Sequence, residues 1–324
     1  MGSGLISLTF WTKMSPDPFM RLAWFRPVSE AGSHAIASTD DVGLLIRALR
    51  SLHKIDVINE DRAHDFVWQH ARTSYDLCVY ELDNTPAHQF IWPYLLHYSG
   101  VTLLRSVSVP HLITGARGPR TSLPLHASRI VLVPHAPIAE VLQADYPAAR
   151  IRSIIPGVEP LAGPRDAIVE SLRWPVDGSA LTDALAGFAA ARPVMVFDCT
   201  ETADWPSIDP HDWQRRSNEE PICVAIDPRD EDHSRRVAIR RLREDAALRE
   251  RLGAAAQAWW RAHATVEIAA AAFESVLREA RTIAPPPRPA DWPANAADDG
   301  TRLMRELLAP FGVLPRVAGL GRQA

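Results

Sequence analysis

Between residues 20 and 155 short apolar runs alternate with amphipathic stretches, and this alternation narrows the fold more than any other feature of the chain. The runs at 22–25, 55–58, 77–82, 101–104, 130–133 and 151–155 are too short for buried helices and read as strands. The stretches at 42–52, 63–71, 86–98 and 137–144 place apolar residues at helical spacing, and a proline stands near the first turn of the third. A parallel neighbour strand is reached only over a crossover, usually a helix, so strand–helix alternation implies a parallel sheet covered by helices. Such sheets bind ligands beyond the carboxyl ends of their strands. Residues 20–155 are therefore expected to form an amino-terminal Rossmann-like domain.

The second half carries a thinner version of the same pattern. Helices are expected at 167–173 and 180–191, strands at 194–197 and 222–226, and a long helical tract at 234–281 broken near Gly253. The stretch from Ala284 to Gly300 is proline-rich, as linkers are, and 301–308 reads as a small terminal helix. Residues 156–281 form the expected second domain and 282–324 a linker with a terminal helix. Met20 stands directly before the first strand, so residues 1–19 read as an upstream-start extension or a tag remnant outside the fold.

At 324 residues the chain has room for two domains of ordinary size. Its net charge of −4 and the acids interleaved with the arginines of 235–251 offer no basic stripe for nucleic acid. Cys78, Cys199 and Cys223 are odd in number, far apart and set in apolar runs. They read as buried thiols in a reducing compartment, and the expected location is cytoplasmic. No run approaches the roughly 18 apolar residues of a membrane span, and the first residues lack the basic region and cleavage site of a signal peptide.

Two places on this frame point to a ligand. The loop after the first strand carries Gly32–Ser33, where a glycine lets backbone approach a ligand and a following helix offers N–H groups to an anion. An ordinary strand-to-helix loop also fits. Asn84 and His88 follow the strand at 77–82 and fall at the carboxyl edge of the sheet, where a pocket is expected. A capping Asn and a partly exposed His fit equally.

Together MRLAWFRPVSEAGSHA, YDLCVYELDNTPAHQFIWPYLLHY and ARIRSIIPGVEP resemble the bacterial family-four glycosyltransferases. FAAARPVMVFDCTETADWP resembles that family's segment behind the donor site, and AALRERLGAAAQAWWRAHATVEIAAAAFESVL its closing helices. The resemblance covers most of 20–280. It implies an α/β GT-B fold, two Rossmann-like domains facing a cleft, with acceptor on the amino-terminal side and a nucleotide-diphosphate sugar on the other. It also implies hexosyl transfer with retention to a polysaccharide, glycolipid or small acceptor, with no metal or other cofactor. On that reading Gly32, Ser33 and Asn84 lie on the acceptor side. His88 and His111 line the cleft, either one as a positioned hydrogen-bond donor or acid–base group. Asp177, Gly178 and Ser179 cradle the donor phosphates at a helix start, where a plain N-cap is also possible.

The departures are as informative. Only about twenty residues separate Gly157 from Gly178, fewer than the roughly thirty of one βαβ unit. The family's elements there, with the cation that grips the diphosphate, are missing, so the second domain is shortened. The Glu-x7-Glu pair is absent, with Asp177 near the first position and Ala186 near the second. Paired histidines after the fourth strand are reduced to His111. These losses support an alternative, a catalytically silent homologue that partners or activates a true transferase. A shortened domain must also cover its sheet edges, with residues 300–324 or with a protein partner.

Other chemistries lack their motifs. There is no Gly-x-Gly-x-x-Gly, no Gly-x-Ser-x-Gly and no P-loop. His126, His135, His211 and His233 show no zinc-like spacing along the chain.

Overall fold

The computed structural model describes residues 19–28, 40–83, 85–105, 122–173, 178–287 and 309–311. The expectations placed on Gly32, Ser33, Asn84, His111 and Asp177, on residues 1–18 and on the helix at 301–308 lie outside the described residues.

The first part is a six-stranded, wholly parallel sheet in the order β2-β1-β3-β4-β5-β6. Its strands are β1 (Arg21–Phe25), β2 (Lys54–Ile58), β3 (Leu77–Leu82), β4 (Val101–Leu104), β5 (Ile130–Val133) and β6 (Ile151–Ser153). Strand side chains alternate between faces, and β1 makes the consequence visible. Ala23 and Phe25 join α2 (Ala63–Arg72), α3 (Trp92–His97), α4 (Ser122–Ala127) and α5 (Ala136–Asp145) on one face. Leu22 and Trp24 point to the other, against α1 (Asp41–Leu49).

A parallel sheet must be covered on both faces, and among the described elements before residue 155 only α1 covers the second. The missing cover comes from the far end of the chain. Helix α9 (Val266–Thr282) sets Ala269, Ala270, Phe273, Val276, Leu277 and Ala280 at helical spacing onto that face. Phe273 stacks on Trp24 with ring centroids 5.2 Å apart. Glu274 pairs with the buried His53, and Arg281 reaches Asp76 at 3.3 Å. The first sheet is thus completed by residues more than a hundred positions downstream.

The second sheet is four-stranded and parallel, ordered β7-β8-β10-β9: β7 (Val169–Ser171), β8 (Val194–Phe197), β9 (Ser207–Ile208) and β10 (Cys223–Ile226). Helix α6 (Gly178–Ala189) packs on one face through Leu181, Leu185 and Phe188, and α7 (Glu231–Glu244) on the other through Ala238 and Leu242. Helix α8 (Ala246–His263) touches both clusters, with Ala256 in one and Leu248 and Leu252 in the other. The chain is therefore α/β with two parallel, Rossmann-like sheets. No described helix is long and apolar enough to cross a membrane.

Three local expectations need correction. Residues 169–171 form the edge strand β7, not a helix: Val169 lies beside Val194 in a parallel pair, and that ladder outweighs weak helical spacing in a short window. The tract 234–281 breaks at Asp245 and Thr265, not at Gly253. Each is an N-cap whose side chain accepts from a backbone N–H, of Leu248 at 2.9 Å and Ile268 at 3.3 Å. Gly253 lies inside α8, where the helix meets the turn after α6. A Cβ there would stand 2.2 Å from the carbonyl oxygen of Ala191, itself in a left-handed conformation (φ 56°). Finally, 86–98 is a 3₁₀ turn (Pro86–Ile91) followed by α3, because Pro93 near its start has no N–H to continue the preceding turn's bonds.

Candidate functional site

The connections leaving β1 and β3 diverge to opposite sides of the first sheet, so a crevice is expected beyond their carboxyl ends. A charged cluster occupies it. Arg26 follows β1, and its Nη2 donates to Asp40 Oδ1 at 2.9 Å. Its Nε lies 3.2 Å from Glu81 Oε2, in the last part of β3. Arg105 follows β4, anchored by its backbone N–H on the Leu82 carbonyl (2.8 Å), and its Nη1 donates to Asp41 Oδ2 at 2.6 Å. Asp40 caps α1 by accepting from the Gly43 N–H (2.9 Å), so the start of that helix brings both carboxylates into the crevice.

Burial sets the electrostatics. Glu81 is buried, and loss of water pushes its carboxyl up, only partly offset by Arg26 and Arg105. For Arg105 burial acts downward, but Asp41 and Glu81 outweigh it and hold the guanidinium firmly charged. Asp40 is pushed up by burial and pulled down further by Arg26, ending below the usual carboxylate range.

His88 stands beside this cluster in the 3₁₀ turn after β3, with its Nδ1 2.8 Å from Thr85 Oγ1. Burial, then the charges of Arg105 and Arg26, push it down to about 4, so it is neutral at pH 7. From the second sheet, the first residue of α6 closes on the same point. A Cβ on Gly178 would lie 2.9 Å from Arg105 Nε, so no other residue type fits without displacing the arginine. The positive end of α6 and a buried guanidinium therefore share one locus.

Between them lies a narrow cavity of about 30 Å³, lined by Asp41, Arg105, Gly157, Gly178 and Phe273 among others. It has room for water but not for a sugar nucleotide. A second cavity, of about 240 Å³, lies between the sheets where His135, Trp205 and His263 meet. His135 is also buried and is pushed down to about 4, with a backbone hydrogen bond at Glu201 only partly countering the burial.

These two histidines predict a pH effect. Unfolded histidine titrates near 6.5, whereas both are held near 4 in the fold. Between those values the unfolded chain binds more protons, so their contribution is intact above about pH 6.5 and drains as pH falls toward 4. Each should cost about 2 kcal/mol between pH 7 and pH 5. Glu81, raised by the fold, works in the opposite sense and softens the slope. Urea unfolding at the two pH values should show this loss in the wild type and a flatter response in His135→Asn. An unchanged slope in that variant contradicts the assignment.

Of the residues singled out in the sequence, His88 and Gly178 converge on Arg105, and Ser179 follows in the first turn of α6, half-buried. Arg26, Asp41, Glu81 and Arg105 were not foreseen. Their signal was present: Arg26 and Arg105 each come immediately after an apolar run, which in a parallel sheet is the carboxyl edge.

No protein-family model matches the chain, and no curated protein matches it either.

Proposed function

We propose that the chain is a glycosyltransferase-like protein of GT-B plan, in which an acceptor at the carboxyl edge of the first sheet meets a nucleotide-diphosphate sugar at the start of α6. The observation that carries this reading is the convergence of Arg26, Arg105 and neutral His88 from the first sheet with the α6 N-terminus from the second. Sugar transfer with a diphosphate leaving group needs positive potential where negative charge develops, and helix N–H groups and guanidinium supply it. A histidine neutral at pH 7 can hold an acceptor hydroxyl or exchange a proton with it. The return of α9 onto the first sheet supports the same plan, because the closing helices were among the segments that resemble the family.

A specific observation favours the second reading, a catalytically silent homologue that acts through a partner. Arg26 and Arg105 are both engaged by carboxylates, and the cavity beside them is too small for the donor. A transfer requires the two sheets to move apart at Gly178. Transfer of radiolabelled sugar by the purified chain separates the readings. An active enzyme should lose about 100-fold or more in His88→Ala and in Ser179→Ala with the fold intact. Equal turnover in both variants removes the site assignment, and no turnover with any sugar nucleotide leaves the silent homologue.

A further inference from the structure

The carboxyl edge of the second sheet carries an assembly that the transfer reading does not use. His211 lies in the loop after β9, whereas Asp230 and His233 lie at the start of α7, after β10. The parallel pairing of β9 with β10, Cys223 beside Ser207 and Val224 beside Ile208, brings these distant segments together. One ligand atom from each of His211, Asp230 and His233 lies within 4.8 Å of the others. His211 Nε2 is 3.5 Å from Asp230 Oδ2, and the two imidazole rings are 5.7 Å apart.

The opposite nitrogen of His211 is fixed. Its Nδ1 lies 3.0 Å from Asp209 Oδ1, which also accepts the His211 backbone N–H at 2.9 Å. Asp209 is in turn held by Arg216 Nη2 at 3.1 Å, and Arg216 is steadied by Asp198 at 2.5 Å. A carboxylate on Nδ1 selects the tautomer that presents a bare Nε2, the arrangement that orients metal-bound histidines. Here it aims Nε2 at Asp230.

We propose that His211, Asp230 and His233 form a zinc site, with Asp209 as the residue that positions His211 and the fourth position open to water or an exogenous oxygen ligand. Two imidazoles and one carboxylate are ordinary zinc donors, and three protein ligands with an open position is the pattern of accessible rather than structural zinc. Tetrahedral ligands about 2.0–2.1 Å from zinc stand roughly 3.3 Å from one another. The His211–Asp230 spacing already meets this. His233 is exposed in the first turn of α7 and closes the remaining gap by side-chain rotation. Two nitrogen donors disfavour calcium and magnesium, which take oxygen ligands. The competing explanation is an ion pair of protonated His211 with Asp209 and Asp230, and that pair has no use for His233.

The test is a calorimetric titration of Zn²⁺ into the chelator-stripped full chain, with Co²⁺ visible absorption reporting the donor set. One equivalent should bind with a dissociation constant of about 1 µM or tighter, with the spectrum of a four-coordinate nitrogen–oxygen site. His211→Ala and His233→Ala should abolish it. Asp209→Asn should weaken it about 10–100-fold without changing stoichiometry. All four side chains lie at the surface, and circular dichroism verifies the fold of each variant. Absence of binding in the wild type, or binding that survives His233→Ala, overturns the site. Neither result bears on sugar transfer.

Discussion

Arg105→Ala should be among the most damaging single substitutions, costing about 3–5 kcal/mol of stability. The side chain is largely buried, at 12% exposure, and lies between the Asp41 carboxylate and the start of α6. Removing it leaves Asp41, whose side chain is 9% exposed, without its cation, and the buried Glu81 with Arg26 alone. An uncompensated buried charge is far more costly than the pair is stabilising. Arg105→Met restores volume but not charge, so it should rescue little. Pairing it with Asp41→Leu removes the stranded carboxylate and should recover much of the loss, as replacing both partners of a buried pair often does. Urea unfolding of the two single variants and the double variant measures the coupling. Additive losses would show that Arg105 and Asp41 do not depend on each other.

Phe273→Ala is expected to be comparably severe, about 3–5 kcal/mol for emptying a buried aromatic site. Phe273 is 1% exposed and stacks on Trp24, which is 0% exposed, in the middle of the first sheet. Because α9 shares the cover of that face with α1 alone among the described elements, the effect reaches beyond a cavity. Leu22, Val79 and Leu132 should gain solvent access, and amide exchange should accelerate in β1 and α9 together. Phe273→Leu keeps most of the apolar contact and should cost about 1.5 kcal/mol or less. Rapid exchange confined to α9, with β1 still protected, would mean that the sheet does not rely on the helix.

The first sheet was largely legible because β1, β3, β4 and β5 are short apolar runs and α1, α2 and α5 fall on stretches of apolar periodicity; 77–82, 101–104 and 130–133 match β3, β4 and β5 to the residue, whereas α4 was not foreseen. The short strands of the second sheet, β7 and β9, were not legible. Ser207–Ile208 has no pattern of its own, and its identity as β9 comes only from its pairing with β10. The role of α9 was also hidden, since an amphipathic helix does not declare which sheet it covers. At the site, His88 and Gly178 were visible as a strand-end histidine and a helix-start glycine. Arg26 and Arg105 were passed over because a single arginine after an apolar run looks like a solvated strand end until its carboxylate partners are in place. His211 and His233 show the same limit, since twenty-two positions of chain separate two rings that the β9–β10 pairing brings together.

Sugar-nucleotide recognition is tested most directly by calorimetric titration of UDP, GDP, dTDP and ADP into the purified chain. Selective binding of one of them, weakened in Ser179→Ala, is the predicted result and would name the base. No heat from any of the four at millimolar nucleotide would contradict a donor site at the start of α6 and leave the silent homologue as the reading.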